Sequence, residues 1–314
     1  MPRRAAARVR LPVSRIASSR ASSSSDNMFD SFERVHRRDG TARQVEASIM
    51  AAPKSNDFFS PRSTDMNRFT GKTVLVTGGN SGIGLAAARA FVAEGARVII
   101  TGRDAATLDS ARASLGADAL AIRNTTGTAA AARELAEAIA AAGLRLDAVF
   151  INAGVAKLVP FEDADEALWD LSFDSNVKGA YFQIQALLPL LNRGASIVLN
   201  GSINAHIGMP TSSIYAASKA ALISLVKTLS AELLPRGVRV NVVSPGPVTT
   251  PLYDKFGFDA AGLAAASEQI RAQVPLGRFG EPAEIASTVL HLAASESAFI
   301  VGSEIIADGG MGTL

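Results

Sequence analysis

The chain has no cysteine among its 314 residues, which excludes disulfide frameworks, thiolate nucleophiles, cysteine-ligated zinc and iron–sulfur clusters. Its three histidines, His36, His206 and His291, do not stand four positions from one another, so no multi-histidine metal site is expected. No apolar run approaches the roughly 20 residues of a membrane span, and no membrane partner is expected. A large charge of one sign is missing too: the formal net charge is +2, and it is unevenly placed. Residues 1–65 hold 12 Lys+Arg against 7 Asp+Glu, leaving 19 against 22 for residues 66–314, so the part of the chain with folding character is mildly acidic. Such a surface offers no basic footprint for nucleic acid. What is present is 48% hydrophobic and 19% charged residues, the balance of an ordinary globular protein with a sizeable core.

The first 25 residues carry six arginines, seven serines and no acid, and the sequence stays polar and irregular to Asp65. This reads as a disordered extension, residues 1–65. Two origins compete: an Arg- and Ser-rich import peptide, or translated upstream sequence before a start at Met66. The second is preferred, because an import peptide would not need some further 40 structureless residues before the first strand.

From Lys72 short β-branched runs alternate with alanine-rich amphipathic stretches that end at glycine. Seven strands are expected: Thr73 to Thr77, Arg97 to Thr101, Ala119 to Arg123, Ala148 to Asn152, Ser196 to Asn200, Arg239 to Val243 and Glu304 to Ala307. Several are almost wholly apolar, as parallel strands covered on both faces must be. The pattern predicts one α/β domain over residues 66–314, a Rossmann-type doubly wound fold whose seven-stranded parallel sheet is flanked by helices. Its ligand belongs at the carboxyl ends of the strands.

The first strand runs into Thr77-Gly78-Gly79-Asn80-Ser81-Gly82-Ile83-Gly84, which opens a helix over Leu85 to Glu94. Glycines there let the backbone bend and approach a pyrophosphate, and the free amides of the helix start meet its charge. A ligand-free glycine turn is the bland alternative, weakened by the strand before and the helix after. The second strand ends at Thr101-Gly102-Arg103-Asp104. Gly102 stands where an acid would select NAD, and Arg103 supplies a fork of donors for a 2′-phosphate, so NADP(H) is preferred over NAD(H). The competing reading makes Asp104 merely a helix N-cap.

Tyr215 and Lys219 lie four apart in a stretch with helical character from Ser212 to Leu234, hence on one face. A tyrosine pKa of about 10 is too high for neutral-pH proton transfer, and a nearby ammonium favours the phenolate. Thirteen residues upstream, Ser202 follows the expected fifth strand, where its hydroxyl can hold a substrate oxygen.

With these motifs in order, residues 69–314 resemble the short-chain dehydrogenase/reductase family. Thr77 to Gly84 is similar to its cofactor turn, covering Gly78, Asn80, Ser81, Gly82, Ile83 and Gly84, and Asn152-Ala153-Gly154 to the triplet ending its fourth strand. Asn176, Ser202, Tyr215 and Lys219 match its catalytic tetrad in order and spacing, while Pro245, Gly246, Val248 and Thr250 resemble its nicotinamide loop. The resemblance implies hydride transfer between a nicotinamide and a ketone or secondary alcohol, with Tyr215 as general acid/base. Lys219 would bond the nicotinamide ribose and lower the tyrosine pKa, Asn176 would hold a relay water, and Ser202 would orient the carbonyl. It also implies a homotetramer and a cytoplasmic enzyme, organelle import being the alternative.

Two positions depart from the family pattern. Asn124 replaces the usual aspartate after the third strand, at the adenine contact, and Ser81 stands where NADP-dependent members often have arginine, so phosphate selection rests on Arg103. Two other functions stay open: an NAD-dependent alcohol dehydrogenase with the same tetrad, and a noncatalytic dinucleotide-binding redox sensor. His206 reads as a pocket-wall or surface residue, Trp169 as a core or subunit-interface residue. Leu252, Tyr253, Phe256, Phe258 and Leu263 suit either a mobile lid over an apolar substrate or a pair of surface helices.

Overall fold

Val74, Leu75 and Val76 lose all contact with solvent, and because successive strand residues point to opposite faces, both faces of this strand must be covered. The computed structural model describes residues 67–251 and 260–314, apart from the side chains of Ala260, Ala261, Leu263 and Ala264. These residues fall in one compact unit, residues 64–314. Residues 1–66 lie outside the described residues, and so do Leu252, Tyr253, Phe256 and Phe258 of the expected lid.

The seven strands are β1 (Thr73–Val76), β2 (Arg97–Gly102), β3 (Leu120–Arg123), β4 (Leu146–Ile151), β5 (Leu191–Asn200), β6 (Arg239–Pro245) and β7 (Glu304–Ala307). All neighbours pair in parallel, in the order β3-β2-β1-β4-β5-β6-β7. The order reverses direction between β1 and β4, the switch point at which doubly wound sheets bind their ligand. The expected strands are all present, β7 with the expected ends and the others with one or both ends shifted. The largest shift is in β5, which begins five residues early: Leu191 pairs with Leu146 across a register irregularity, and its polar Asn192, Arg193 and Gly194 hide the strand from an apolar pattern.

Eight helices are described: α1 (Gly82–Ala93), α2 (Ala105–Leu115), α3 (Ala129–Ala141), α4 (Glu166–Phe173), α5 (Gly179–Leu187), α6 (Ser213–Leu233), α7 (Ala260–Ala272) and α8 (Pro282–Ala293). A π-helical turn, Asp174–Lys178, joins α4 to α5. Phe91, Leu108 and Val289, from α1, α2 and α8, cover one sheet face with Val74, Val76, Ile100 and Phe150. Leu135, Ile184 and Leu222, from α3, α5 and α6, cover the other with Leu75, Ile99, Val149 and Ile197. Each such fully buried aliphatic side chain contributes about 2 kcal/mol to burying the core. Trp169 is 48% exposed and stacks on Phe173 with ring centroids 4.6 Å apart, so it is not a core residue. Among the described residues no helix is long and apolar enough to cross a membrane, and no cluster of three or more His, Asp or Glu could hold a metal.

Candidate active site

The turn after β1 is shaped by close approach. Gly78 has φ +63°, and Gly84 packs so near the Gly78 carbonyl and the Asn152 amide that a Cβ would lie 2.3 and 2.5 Å from them. Thr77, fully buried, holds the next strand to this turn: its Oγ1 accepts from the amides of Asn152 at 2.9 Å and Ala153 at 3.0 Å. The Asn152 side chain donates to the Thr77 carbonyl at 3.0 Å and the Gly78 carbonyl at 3.3 Å, so Asn152 braces the turn from beneath. Ser81 is the N-cap of α1 in extended conformation, and its hydroxyl makes no capping bond to the first-turn amides. The free amides at Ile83 and Gly84 form the kind of helix start that binds an anion. Thr250 lies over Gly82, whose Cβ would stand 3.4 Å from its methyl.

At the end of β2 the Asn80 side chain covers Gly102, where a Cβ would come 2.9 Å from Asn80 Cγ, and Asn80 Nδ2 donates to Thr107 Oγ1 at 2.9 Å. Asp104 is the N-cap of α2, accepting from Thr107 N at 2.8 Å. Arg103 precedes it on the surface; among the described residues its guanidinium has no hydrogen-bond or ion-pair partner. Its carbonyl accepts from Arg123 Nε at 3.0 Å, so a second cation stands beside it. Asn124 is turned inward: its amide donates to the Ala131 carbonyl at 2.8 Å and accepts from Gln183 at 3.4 Å, and its backbone N–H donates to the Gly102 carbonyl at 3.0 Å.

Ser202 comes from the loop after β5, Tyr215 and Lys219 from α6 and Asn176 from the π-turn; Tyr215 faces the Ser202 hydroxyl and Lys219, while Asn176 and Lys219 both approach Gly154. A Cβ on Gly154 would be 2.7 Å from Asn176 Oδ1 and 3.8 Å from Lys219 Nζ. The Asn176 amide makes three hydrogen bonds, donating to the Val155 carbonyl and to Ser218 Oγ, both at 2.9 Å, and accepting from Val155 N at 2.8 Å. Its side chain therefore fixes the strand-end loop to α6 with both of its donors spent. Lys219, 5% exposed, lies 5.8 Å from the Tyr215 ring centre, and burial lowers its pKa from 10.5 to about 8. Burial also raises the half-buried Tyr215 phenol, and the facing Ser202 hydroxyl works the other way.

Sequence reasoning missed Asn200. Its carbonyl accepts from Lys219 Nζ at 2.6 Å, while its Nδ2 donates to Asn152 Oδ1 at 2.9 Å, so it joins the lysine to the glycine turn. Its own Oδ1 is buried without a partner among the described residues. The available signal was a polar side chain ending an apolar strand, Ile197-Val198-Leu199. Farther along, Gly246 packs against Asp308, and Val248, 5% exposed, forms a parallel bridge with Gly280. These contacts hold residues 245–250 over the carboxyl ends of the strands.

Residues 78–312 match a family model described as enoyl-(acyl carrier protein) reductase. Among curated relatives, the oxidoreductase asL5 of Sarocladium schorii is 38% identical over 78% of this chain and 98% of its own length. An NADP-dependent (R)-specific alcohol dehydrogenase of Lentilactobacillus kefiri is 36% identical over 78% of this chain and 98% of its own. A solved structure titled short chain dehydrogenase/reductase family protein superposes with TM-score 0.68 at 41% identity, covering 79% of this chain and all of the other.

Proposed function

The chain belongs to the short-chain dehydrogenase/reductase family and is an oxidoreductase of alcohol and carbonyl groups; from that premise we propose an NADP(H)-preferring enzyme in which Tyr215 is the general acid/base toward a ketone or secondary alcohol. The observation that carries this reading is the convergence of Tyr215, Ser202 and buried Lys219 beside the glycine turn, at the carboxyl ends of the strands. The same residues fit a dinucleotide. Gly84 and Gly78 leave the turn no side chains in the way, the α1 amides await an anion, and Arg103 is a surface guanidinium without a partner among the described residues.

A bound nicotinamide would supply or accept the hydride. Toward the other substrate, the Ser202 hydroxyl would donate to the carbonyl oxygen and stabilise charge developing there, while Tyr215 Oη delivers the proton in reduction and removes it in oxidation. Lys219 near the phenol would favour the phenolate, in the same sense as the Ser202 hydroxyl and against the burial that raises the Tyr215 pKa. Asn176 holds Gly154 and Ser218 in place around that lysine. Any relay water would donate to the remaining lone pair of Asn176 Oδ1 or use its main chain, since both side-chain donors are engaged. At the adenosine end, Arg103 would pair with a 2′-phosphate, flanked by Asn80 and Thr107.

The exposed aromatic face of α4 and α5 supports a homo-oligomer. Phe173, Val177, Tyr181, Phe182 and Leu225 line an apolar groove there, beside exposed Trp169 and Leu171.

The test is titration of the purified protein with NADPH and NADH separately, then a carbonyl panel followed by loss of reduced-nicotinamide absorbance. Tighter NADPH binding with turnover is expected. Binding without turnover on any carbonyl would favour the redox sensor, tighter NADH binding the NAD-dependent dehydrogenase, and no binding of either would overturn the reading from Gly78 onward.

A further inference from the structure

The loop leaving β5 carries Ser202 into a 3-10 turn, Ile203–Ala205, whose start is fixed because Ser202 Oγ accepts from Asn204 N at 3.2 Å. Four residues after Ser202, His206 Nε2 lies 2.7 Å from Glu304 Oε1, at the start of β7. The same oxygen accepts from the Ser244 hydroxyl at 2.5 Å, and Ser244, on β6, is fully buried. Ser244 in turn presses on Gly201, where a Cβ would come 2.3 Å from its Oγ. One carboxylate therefore joins the loop after β5 to β6 and β7, next in the chain to Ser202, and no step proposed above uses it.

An isolated exposed ion pair contributes about 0–1 kcal/mol and organises little. This pair differs at its Glu304 end. That side chain is 20% exposed, its oxygen is shared with a buried hydroxyl, and its backbone is registered against Val242 in the sheet. The glutamate is a rigid anchor, and His206 is where the loop after β5 attaches to it.

We propose that His206 and Glu304 are positioning residues for Ser202: their pairing clamps the 201–207 loop to β7 and sets the height of the Ser202 hydroxyl beside Tyr215. The inference rests on the reading of Ser202 and Tyr215 as the reacting site. It needs no proton from His206. Its effect is geometric, and misplacement of a reacting group by 1 Å costs up to about a hundredfold in rate.

The test compares His206→Ala, Glu304→Ala, the double variant and His206→Gln, whose amide can still donate to Glu304. Three quantities are read in the full-length protein: kcat and KM for a carbonyl that the wild type reduces, the Kd for NADPH, and hydrogen exchange at the amides of Ala205, His206 and Ile207. These amides are hydrogen-bonded within the loop, to Ser202 and Ile203 carbonyls, so their protection reports its order. His206→Ala is expected to lower kcat about tenfold, to leave the NADPH Kd within about twofold, and to speed loop exchange at least about fivefold. The double variant should be no worse than either single one, and His206→Gln should recover most of the loss.

Unchanged kcat in His206→Ala, or losses that add in the double variant, would overturn the proposal. So would an equal loss of NADPH affinity or a general loss of protection along β6 and β7, which would mark the pair as merely structural. If the wild type reduces no carbonyl, the functional reading fails on its own. Loop exchange then decides the clamp separately, and unchanged exchange in His206→Ala refutes it.

Discussion

The ammonium of Lys219 donates to the main-chain carbonyl of Asn200 at 2.6 Å, and the side chain of the same asparagine reaches Asn152 beneath the glycine turn. Catalytic candidate and phosphate turn are thus joined through one residue at the end of β5. The lysine is otherwise desolvated, which draws its pKa down to about 8.

That depression makes stability depend on pH in a fixed direction. Below about pH 8 the lysine is charged in both states and folding carries its desolvation cost. Between that pH and the ordinary value of 10.5 the folded lysine is neutral while the unfolded one still binds a proton, so stability rises with pH. Lys219→Met removes this contribution. Urea unfolding should show wild-type stability gaining about 3 kcal/mol on the variant across that window, and a flat difference would mean that the ammonium is not desolvated.

Tyr215→Phe keeps the ring and removes the proton. Turnover should fall by about a thousandfold or more, with NADPH affinity within a few-fold and thermal unfolding unchanged. A variant that retains activity would assign the proton transfer to another group.

The cofactor preference should yield at Arg103 but resist at Gly102. Arg103→Asp should weaken NADPH by about 1 kcal/mol or more through the lost charge-assisted bonds and barely alter NADH. Gly102→Asp alone should fail to create an NADH enzyme, because its Cβ meets Asn80 Cγ at 2.9 Å. The pair Gly102→Asp with Asn80→Gly relieves that overlap and should raise NADH affinity, as read by fluorescence titration.

Gly84→Ala places a methyl against the Gly78 carbonyl and the Asn152 amide. Overpacking of this kind costs about 1–3 kcal/mol, and here it also displaces the amides meant for the pyrophosphate. Both dinucleotides should lose affinity together, unlike the selective loss at Arg103. Equal affinity in the variant would place the phosphates elsewhere.

The strands, the glycine turn and the Tyr215–Lys219 pair were legible in the sequence because each rests on a local rule, while Asn176 and the order of the tetrad were legible only through the family resemblance. Apolar runs such as Val74-Leu75-Val76 follow from burial on two faces, the Gly78-to-Gly84 spacing from backbone torsions, and the Tyr215–Lys219 pairing from the helical period. The sequence alone also excluded thiol chemistry and located the cation at Arg103. Tertiary packing decided how the polar side chains are spent. Asn124 and Asn176 read as groups free to meet a ligand or water, yet their amides bond Ala131, Gln183, Val155 and Ser218, all but Ala131 at least 21 residues away in the chain. The partners of Asn200 and the His206–Glu304–Ser244 cluster were invisible for the same reason: they meet only where strand ends from distant segments come side by side. A hydrogen bond between residues 98 apart leaves no period or spacing in the sequence, and it exists only once the sheet has brought β5 and β7 to the same edge of the site.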